Sequence, residues 1–212
     1  MRVGVFGGTF DPIHVGHLMV AEKARTELGL KEVLFVTAGV PWLKMDKPIA
    51  EAKHRLAMVE LAVEKEPNFR STDVEVQRSG PSYTAITLKW LKCMAGEETD
   101  LYLIVGIDAL NELSRWHRPA EVFELSTVVA VPRPGSPDLD RKELDEVSEG
   151  ASEKVIVLNG PMVRMSSTSV KEKISRGLPI SHHVPKSVEK YIINHHLYRT
   201  TSEQREDKHE RC

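Results

Sequence analysis

Short apolar runs alternate with longer amphipathic segments along most of this chain. Runs rich in Val, Leu and Ile predict buried strands at 3–6, 33–37, 72–76, 101–105, 128–131 and 155–158. The spacing of apolar positions between them predicts helices at about 17–28, 51–65, 83–94, 119–124, 167–176 and 185–194. This alternation is typical of βαβ units. We therefore expect an α/β fold, a Rossmann-like doubly wound parallel sheet with helices on both faces.

Two long segments interrupt this alternation and predict loops, 38–50 and 132–140, and loops of this length in an α/β domain are often functional. The last segment, 199–212, is almost wholly polar or charged. Such a segment cannot bury enough apolar surface to become ordered. We expect one domain over 1–198, followed by a disordered polar tail over 199–212.

Composition narrows the class of protein without indicating an activity. The 212 residues include 29 Lys and Arg against 31 Asp and Glu, a formal net charge of −2, and 41% are hydrophobic. These values suit a soluble globular chain and give no support to nucleic-acid or membrane partners. The only cysteines are Cys93, expected in the core, and Cys212. Two cysteines form no disulfide framework, so we expect a cytoplasmic protein, without a signal peptide or a membrane span.

The densest group of chemistry-bearing residues lies where the first strand leads into the first helix, in the segment GGTFDPIHVGHL at 7–18. Glycines at a strand end let the backbone approach a phosphate, and a helix N-terminus presents free N–H groups and a positive dipole. His14 and His17 are three positions apart, so both lie on one face of the first turn. Gly16 leaves that face open. The segment therefore predicts an anion site.

Other interpretations of this segment fit less well. The glycines at 4, 7 and 8 do not match a dinucleotide fingerprint, and no Gly-Lys pair is present for a Walker A loop. A metal site on His14 and His17 would need further ligands, so we expect none. A capped helix start with incidental histidines is the purely structural interpretation.

The segment resembles the nucleotidyltransferase superfamily with an H-x-G-H motif, and its Gly-Gly-Thr-Phe-Asp-Pro version resembles the bacterial nicotinate-nucleotide adenylyltransferases. The resemblance extends over 2–198. It implies adenylyl transfer from ATP, accompanied by Mg²⁺, to nicotinate mononucleotide, with His14 and His17 contacting the ATP phosphates and stabilising the transition state. The other ATP-binding residues implied at this end of the chain are Gly7, Gly8, Thr9, Phe10 and Gly16.

A second element, at 165–172, resembles the family's I-S-S-T-x-I-R stretch, whose hydroxyls and basic residue bind the triphosphate. Lys171 stands at the place of the family's arginine, which keeps the charge and loses the bidentate geometry. Without the resemblance, Ser169 and Glu172 predict only a capping box at a helix start. The hydroxyl residues that the resemblance implies here are Ser166, Ser167 and Thr168.

The segment 82–84 resembles the family's S-Y-T segment, and the pair at 116–117 its tryptophan-aromatic pair around the pyridine ring. An aromatic face suits a cationic pyridinium, and its carboxylate can accept from a threonine hydroxyl or a backbone N–H. Helix packing or surface placement would explain the aromatic residues equally well. The implied pyridine contacts are Tyr83, Thr84, Trp116 and His117.

Two further groups complete the expected site. Gly106 and Asp108 match the family's G-x-D after a strand, where ligands gather in open α/β sheets, so Asp108 is expected on a ribose hydroxyl. Many relatives read P-P-H-K where this chain reads P-W-L-K at 41–44. Lys44, which we also count as a catalytic cation, and Arg55 could meet the mononucleotide phosphate. An ordinary charge on a helix face is the alternative for Arg55.

The implied reaction fits the residues present. A phosphate monoester with a second pKa of about 6 is largely dianionic at pH 7, so its attack on the α-phosphorus of ATP needs no general base. The alternatives are the same chemistry with nicotinamide mononucleotide or phosphopantetheine as acceptor, cytidylyl transfer from CTP, and a nucleotide sensor without activity. Phosphopantetheine adenylyltransferases tend to carry lysine at the place of Lys171, whereas the R-T-x-G-I-S-T-T stretch of cytidylyltransferases is missing.

Overall fold

The computed structural model describes residues 1–44, 48–96, 98–158 and 165–199. Its strands are β1 (Arg2–Gly8), β2 (Glu32–Thr37), β3 (Phe69–Thr72), β4 (Asp100–Gly106), β5 (Thr127–Val131) and β6 (Ile156–Val157). Its α-helices are α1 (Val15–Glu27), α2 (Ala52–Val63), α3 (Val74–Gln77), α4 (Thr84–Ala95), α5 (Ile107–Leu110), α6 (Pro119–Leu125), α7 (Arg141–Val147), α8 (Ser167–Ser175) and α9 (Lys186–Asn194).

The strands form one parallel sheet of six in the order β3-β2-β1-β4-β5-β6. The chain builds one half outward from β1 and then returns to add β4 on the other side of β1. The order of the strands therefore reverses between β1 and β4, and a crevice opens there at the carboxyl ends. The predicted doubly wound parallel sheet is confirmed.

Two apolar clusters, one on each face of the sheet, form the core. Along β1, Val3 and Val5 belong to one cluster and Phe6 to the other, as the alternation of a strand requires. The Phe6 cluster packs the sheet against α1, α2, α8 and α9, and the other packs it against α4, α6 and α7. Helices therefore cover both faces, as expected.

The expected strand at 72–76 is wrong. The strand is Phe69–Thr72, and Val74–Gln77 is a short helix. The alternation of Val74 and Val76 mimics a strand, but the hydroxyl of Thr72 accepts the N–H of Val74 at 3.3 Å and turns the chain. A local side-chain bond therefore overrides the apolar period.

Two other expectations about single elements also differ from the structure. Cys93 is exposed, because the buried side of α4 is formed by Ala85, Thr87, Leu88 and Leu91. Helix α7 lies where no helix was predicted, and the Asp140 carboxylate caps it by accepting the N–H of Glu143 at 3.0 Å. None of the helices in the described ranges is long and apolar enough to cross a membrane.

Candidate active site

An open cleft of about 640 Å³ lies at the carboxyl ends of β1 and β4, where the strand order reverses. This volume suits a ligand the size of a nucleotide. Most of the predicted site residues line the cleft: Gly7, Gly8, Thr9, Phe10, His14, His17, Thr84, Gly106, Asp108, Trp116, His117, Ser166, Ser167, Thr168 and Lys171. Gly16 lines a smaller pocket that adjoins it. The fold therefore brings together residues that are up to 164 positions apart, from Gly7 to Lys171.

His14 and His17 form a stacked pair at the N-terminus of α1. Their ring centroids are 3.6 Å apart with an interplanar angle of 16°, and Phe10 meets the His17 ring edge-on at 5.1 Å. The His17 Nδ1 accepts the backbone N–H of His14 at 3.2 Å. An Nδ1 that accepts carries no proton, so the neutral ring holds its proton on Nε2. His17 is thus set as a hydrogen-bond donor.

His14 is a neutral group at physiological pH. Its side chain is buried, and its Nδ1 has no hydrogen-bond partner among the described residues. Burial, together with the nearby positive charge of Arg133, lowers the pKa of His14 to about 4. A buried polar atom without a partner is costly, and a polar ligand that supplies one removes that cost. His14 can therefore bind a phosphate oxygen by a hydrogen bond without carrying a charge.

Arg133 is a cation of the site that the sequence analysis missed. It follows β5 and lines both the cleft and the smaller pocket. Its guanidinium lies 3.7 Å from the position that a Cβ on Gly106 would take. The sequence had a signal for it, because this basic residue lies two positions after the strand, in the loop predicted at 132–140.

A second helix N-terminus, that of α8, lines the same cleft. Ser166 is the N-cap, and its hydroxyl accepts the N–H of Ser169 at 3.1 Å. The capping box predicted for Ser169 and Glu172 is therefore wrong, because the helix starts one turn earlier. The Ser167 hydroxyl donates to the carbonyl of Pro12 at 2.9 Å and ties α8 to the glycine-rich loop. Residues at two helix N-termini thus line one cleft, an arrangement that favours an anionic ligand.

Arg55 does not lie where the sequence analysis expected it. The residue is 1% exposed, and its guanidinium donates to four backbone carbonyls, those of Thr9, Ala38, Gly39 and Ala50, at 2.6 to 3.0 Å. Burial lowers its pKa, while the nearby Asp11 raises it. With these donors committed to the backbone, Arg55 joins the loop after β1 to the loop after β2 and is not placed to bind a substrate phosphate. We correct the expectation accordingly.

Lys44 is the last residue of a short 3₁₀ turn, Trp42–Lys44. Its side chain lies outside what the structure describes, so its expected contact with the mononucleotide phosphate stays a prediction. The polar tail expected at 199–212 lies outside the described residues from position 200 onward.

Aromatic rings from separate loops gather at the far end of the cleft. Tyr83 stacks on His117 with centroids 4.3 Å apart and an angle of 21°, and Trp42 meets Tyr83 edge-on at 5.9 Å. The half-buried Trp116 lines the cleft, and its indole N–H is buried without a hydrogen-bond partner among the described residues. Trp42, Trp116 and His117 line the cleft, whereas Tyr83 is not among the lining residues and stacks on His117. This aromatic wall, formed by Trp42, Tyr83, Trp116 and His117, offers flat faces and an unused donor. Trp42 is the member that the sequence analysis did not assign.

A polar network that includes the buried Glu75 also lines the cleft. Glu75 is 7% exposed, and the Thr87 hydroxyl donates to its carboxylate at 2.5 Å. Arg78 donates to the same hydroxyl at 3.2 Å. A Cβ on Gly39 would lie 2.1 Å from the carbonyl oxygen of Glu75, so only glycine fits beside this segment. Because Glu75 and Thr87 both line the cleft, the network holds this part of its wall in place.

Comparison with known proteins identifies the family. The family model "Cytidylyltransferase-like" matches residues 5–173. A protein of Dehalococcoides mccartyi, named as a probable nicotinate-nucleotide adenylyltransferase, is 46% identical over 198 residues, which cover 93% of this chain and 97% of that protein. This chain belongs to the nicotinate-nucleotide adenylyltransferase family. A member from Roseiflexus sp. with the same name is 42% identical, over 93% of this chain and 98% of its own.

A solved structure has the same fold as this chain. Nicotinic acid mononucleotide adenylyltransferase of Plasmodium falciparum, solved in complex with NaAD, superposes with a TM-score of 0.74. The alignment covers 93% of this chain and 97% of that chain at 20% identity. At this identity the likeness supports the shared fold.

Among the described residues, no group of three or more His, Cys, Asp or Glu side chains is arranged to hold a metal ion.

Proposed function

We propose that this chain transfers the adenylyl group of ATP to nicotinate mononucleotide. An oxygen of the mononucleotide phosphate attacks the α-phosphorus, the bond from that phosphorus to the pyrophosphate oxygen breaks, and deamido-NAD and pyrophosphate leave. The observation that carries the proposal is a single cleft with two helix N-termini at one end and an aromatic wall at the other. The family membership supports the same reaction.

The phosphate end of the cleft provides hydrogen bonds and positive charge. A mononucleotide phosphate is largely dianionic at pH 7, since its second pKa is about 6, so no base has to activate it. Catalysis then consists of holding two polyanions in line and stabilising the charge that develops. We assign this to His14 and His17 as donors and to Lys171 and Arg133 as cations, all of which line the cleft. The backbone of 7–10 and the start of α8 supply N–H donors.

Adenosine is proposed to bind between α1 and the ends of β4 and β5. The smaller pocket there is lined by Val20, Val131 and Leu158, an apolar surface that suits a purine ring. Asp108, at the start of α5 and on the wall of the cleft, is the proposed partner of a ribose hydroxyl. Mg²⁺ is proposed to arrive with ATP, bound to its phosphates, as part of the substrate.

The aromatic wall favours a pyridine ring over the other acceptors. Phosphopantetheine has no ring to stack on Tyr83, His117 or Trp116, whereas a pyridinium does. The buried indole N–H of Trp116 and the Thr84 hydroxyl are donors that a carboxylate would satisfy. We therefore propose nicotinate mononucleotide as the acceptor, and the cytoplasm, where nucleotides and reduced thiols coexist, as the place of the reaction.

Pyrophosphate release tests the proposal directly. The full chain with ATP and Mg²⁺ is given nicotinate mononucleotide, nicotinamide mononucleotide or phosphopantetheine at equal concentration. We expect the fastest release with nicotinate mononucleotide. Faster release with phosphopantetheine would contradict the role of the aromatic wall, and ATP binding without release from any acceptor would indicate a nucleotide sensor.

A further inference from the structure

The carboxylate of Asp11 joins three distant segments of the chain. Lys171 Nζ donates to its Oδ2 at 2.7 Å, and the Tyr198 hydroxyl donates to its Oδ1 at 2.8 Å. The backbone N–H of Ala50 donates to the same Oδ1 at 3.1 Å. Asp11 is 4% exposed and belongs to the glycine-rich loop of the proposed phosphate site. The orientation of this carboxylate therefore decides where the Lys171 ammonium lies.

Tyr198 reaches Asp11 through an unusual backbone path. After α9 ends, His196 and Tyr198 both adopt positive φ angles, 51° and 64°. Residues other than glycine rarely adopt the left-handed region, and they keep it only where the surrounding structure holds them there. Leu197 and Tyr198 pack against the apolar cluster on the α1 face, which supplies that hold. The backbone path after α9 therefore places the Tyr198 hydroxyl on Asp11.

The Tyr198 hydroxyl acts only as a donor to this carboxylate. Burial and the neighbouring Asp11 both raise the pKa of Tyr198 far above its usual range, so the hydroxyl keeps its proton at any physiological pH. It occupies Oδ1 together with Ala50 and leaves Oδ2 to Lys171. The Lys171 ammonium also lies 6.0 Å from the centre of the Tyr198 ring, within reach of a cation–π attraction.

The position of the Lys171 ammonium depends strongly on its contact with Asp11. A guanidinium at this position would present a planar fork, whereas an ammonium is a point charge on a flexible stem with four carbons. One of its three N–H groups is bound to Asp11, and its side chain, 30% exposed, lines the cleft. The remaining donors can meet a phosphate oxygen without breaking the pair with Asp11.

We propose that Tyr198 is a positioning residue for ATP binding, which holds Asp11 so that Lys171 is presented to the triphosphate. This rests on the proposed function only in that ATP binds in the cleft. Tyr198 itself does not line the cleft and acts through Asp11 and Lys171.

The test measures the binding of a non-hydrolysable ATP analogue to the full chain by calorimetry, without any acceptor. Tyr198→Phe removes only the hydroxyl and is expected to weaken binding about tenfold, the size that a hydrogen bond to a charged group supports. The matched control is Tyr191→Phe, which removes a hydroxyl from α9 that is bonded to His54 at 2.9 Å. The control is expected to bind the analogue as the unchanged chain does.

A double-mutant cycle separates positioning from general destabilisation. In a Lys171→Ala background, Tyr198→Phe should cause no further loss of analogue affinity, because the ammonium that it positions is absent. An additive loss in that background, an equal loss in Tyr191→Phe, or unchanged binding in Tyr198→Phe would each overturn the proposal.

The acceptor assay keeps this inference separate from the proposed function. Failure of the unchanged chain to release pyrophosphate with nicotinate mononucleotide would overturn the reaction, whereas the binding cycle does not depend on the acceptor. In the active chain, Tyr198→Phe is expected to raise KM for ATP and to leave KM for the acceptor unchanged.

Discussion

At the scale of single residues, the two histidines of the H-x-G-H segment have different electrostatic roles. His17 is fixed as a donor because its Nδ1 accepts the N–H of His14, while His14 is buried and neutral. The positive charge at this end of the cleft therefore comes from Lys171, Arg133 and the helix N-termini. In the proposed reaction these histidines would act as hydrogen-bond donors, which suits charge that develops on phosphate oxygens.

Replacing His17 is expected to affect turnover more than binding. His17→Ala removes a donor that is aimed at the cleft, and loss of one donor to developing charge lowers kcat by about 10² to 10³. The KM for ATP should change by less than about tenfold, because other groups still hold the ground state. Steady-state kinetics of pyrophosphate release measure both. The control is His182→Ala at an exposed position, and an unchanged kcat in His17→Ala would remove His17 from the chemistry.

The stability of the protein should fall as the pH is lowered, because of His14. Its pKa is about 4 in the folded chain and about 6.5 when unfolded. Between these values the unfolded state binds more protons, so the free energy of unfolding is highest above pH 6.5 and decreases as the pH falls towards 4. The contribution is about 3 kcal/mol at full extent.

Denaturant unfolding at pH 7.0, 5.5 and 4.5 measures this dependence. His14→Gln should flatten the profile between these pH values, whereas His182→Gln, at an exposed site, should preserve it. An identical pH profile in His14→Gln and the unchanged chain would assign the dependence to another group.

At the scale of elements, Arg55 shows how α2 organises the loops of the cleft. Its guanidinium donates to the carbonyls of Thr9, Ala38, Gly39 and Ala50. The loop after β1 and the loop after β2 are therefore held together by one side chain. An isolated helix-face charge and a phosphate ligand were both reasonable expectations for an arginine near a helix start. The packing of α2 against the loops after β1 and β2 places the guanidinium among backbone carbonyls instead.

Arg55→Ala is expected to destabilise the protein on the order of 3 kcal/mol, because it leaves buried carbonyls without a donor. Arg55→Lys should recover little, since one ammonium cannot span the same four carbonyls. Thermal and denaturant unfolding measure the loss. Lys53→Ala, an exposed position on the same helix, serves as the control. Full stability together with a raised KM for the acceptor in Arg55→Ala would restore the substrate role.

At the scale of the whole molecule, the segment after α8 contacts the loop after β1 and the start of α1. Tyr198 contacts Asp11, and the carbonyl of His183 accepts the N–H of Val15 at 2.8 Å. The family match over 5–173 ends before these contacts, and the relatives extend across them. The segment after α8 therefore packs against the loop and helix that begin the cleft.

Two truncations test this division of the chain. Removal of 200–212 is expected to leave Tm and kcat unchanged, because a polar segment has little apolar surface to contribute. Removal of 195–212 takes Leu197 and Tyr198 as well and should lower Tm by several degrees and weaken ATP binding. The comparison uses thermal unfolding and pyrophosphate release. Equal losses in both truncations would place an essential role in 200–212.

The layer architecture and the segment that begins the cleft could both be predicted from the amino-acid sequence. Both follow from local patterns: apolar period gives strands and helices, and glycines followed by two histidines mark the entry into α1. The strand expected at 72–76 was wrong because the Thr72 hydroxyl accepts the N–H of Val74, and this local bond outweighs the apolar period. The end of the cleft near 116–117 was located by resemblance.

The positions of the charged side chains around the cleft could not be predicted in this way, because they depend on packing between distant segments. Arg55 lies among backbone carbonyls, Arg133 enters the cleft, and Lys171 shares Asp11 with a tyrosine near the end of the described chain. A charged side chain pairs with an acceptor that the fold brings within about 3 Å, and the acceptors of Arg55 and Lys171 are mostly distant in sequence. Residue types and their spacing indicate which functional groups the chain carries, and packing determines which of those groups line the cleft.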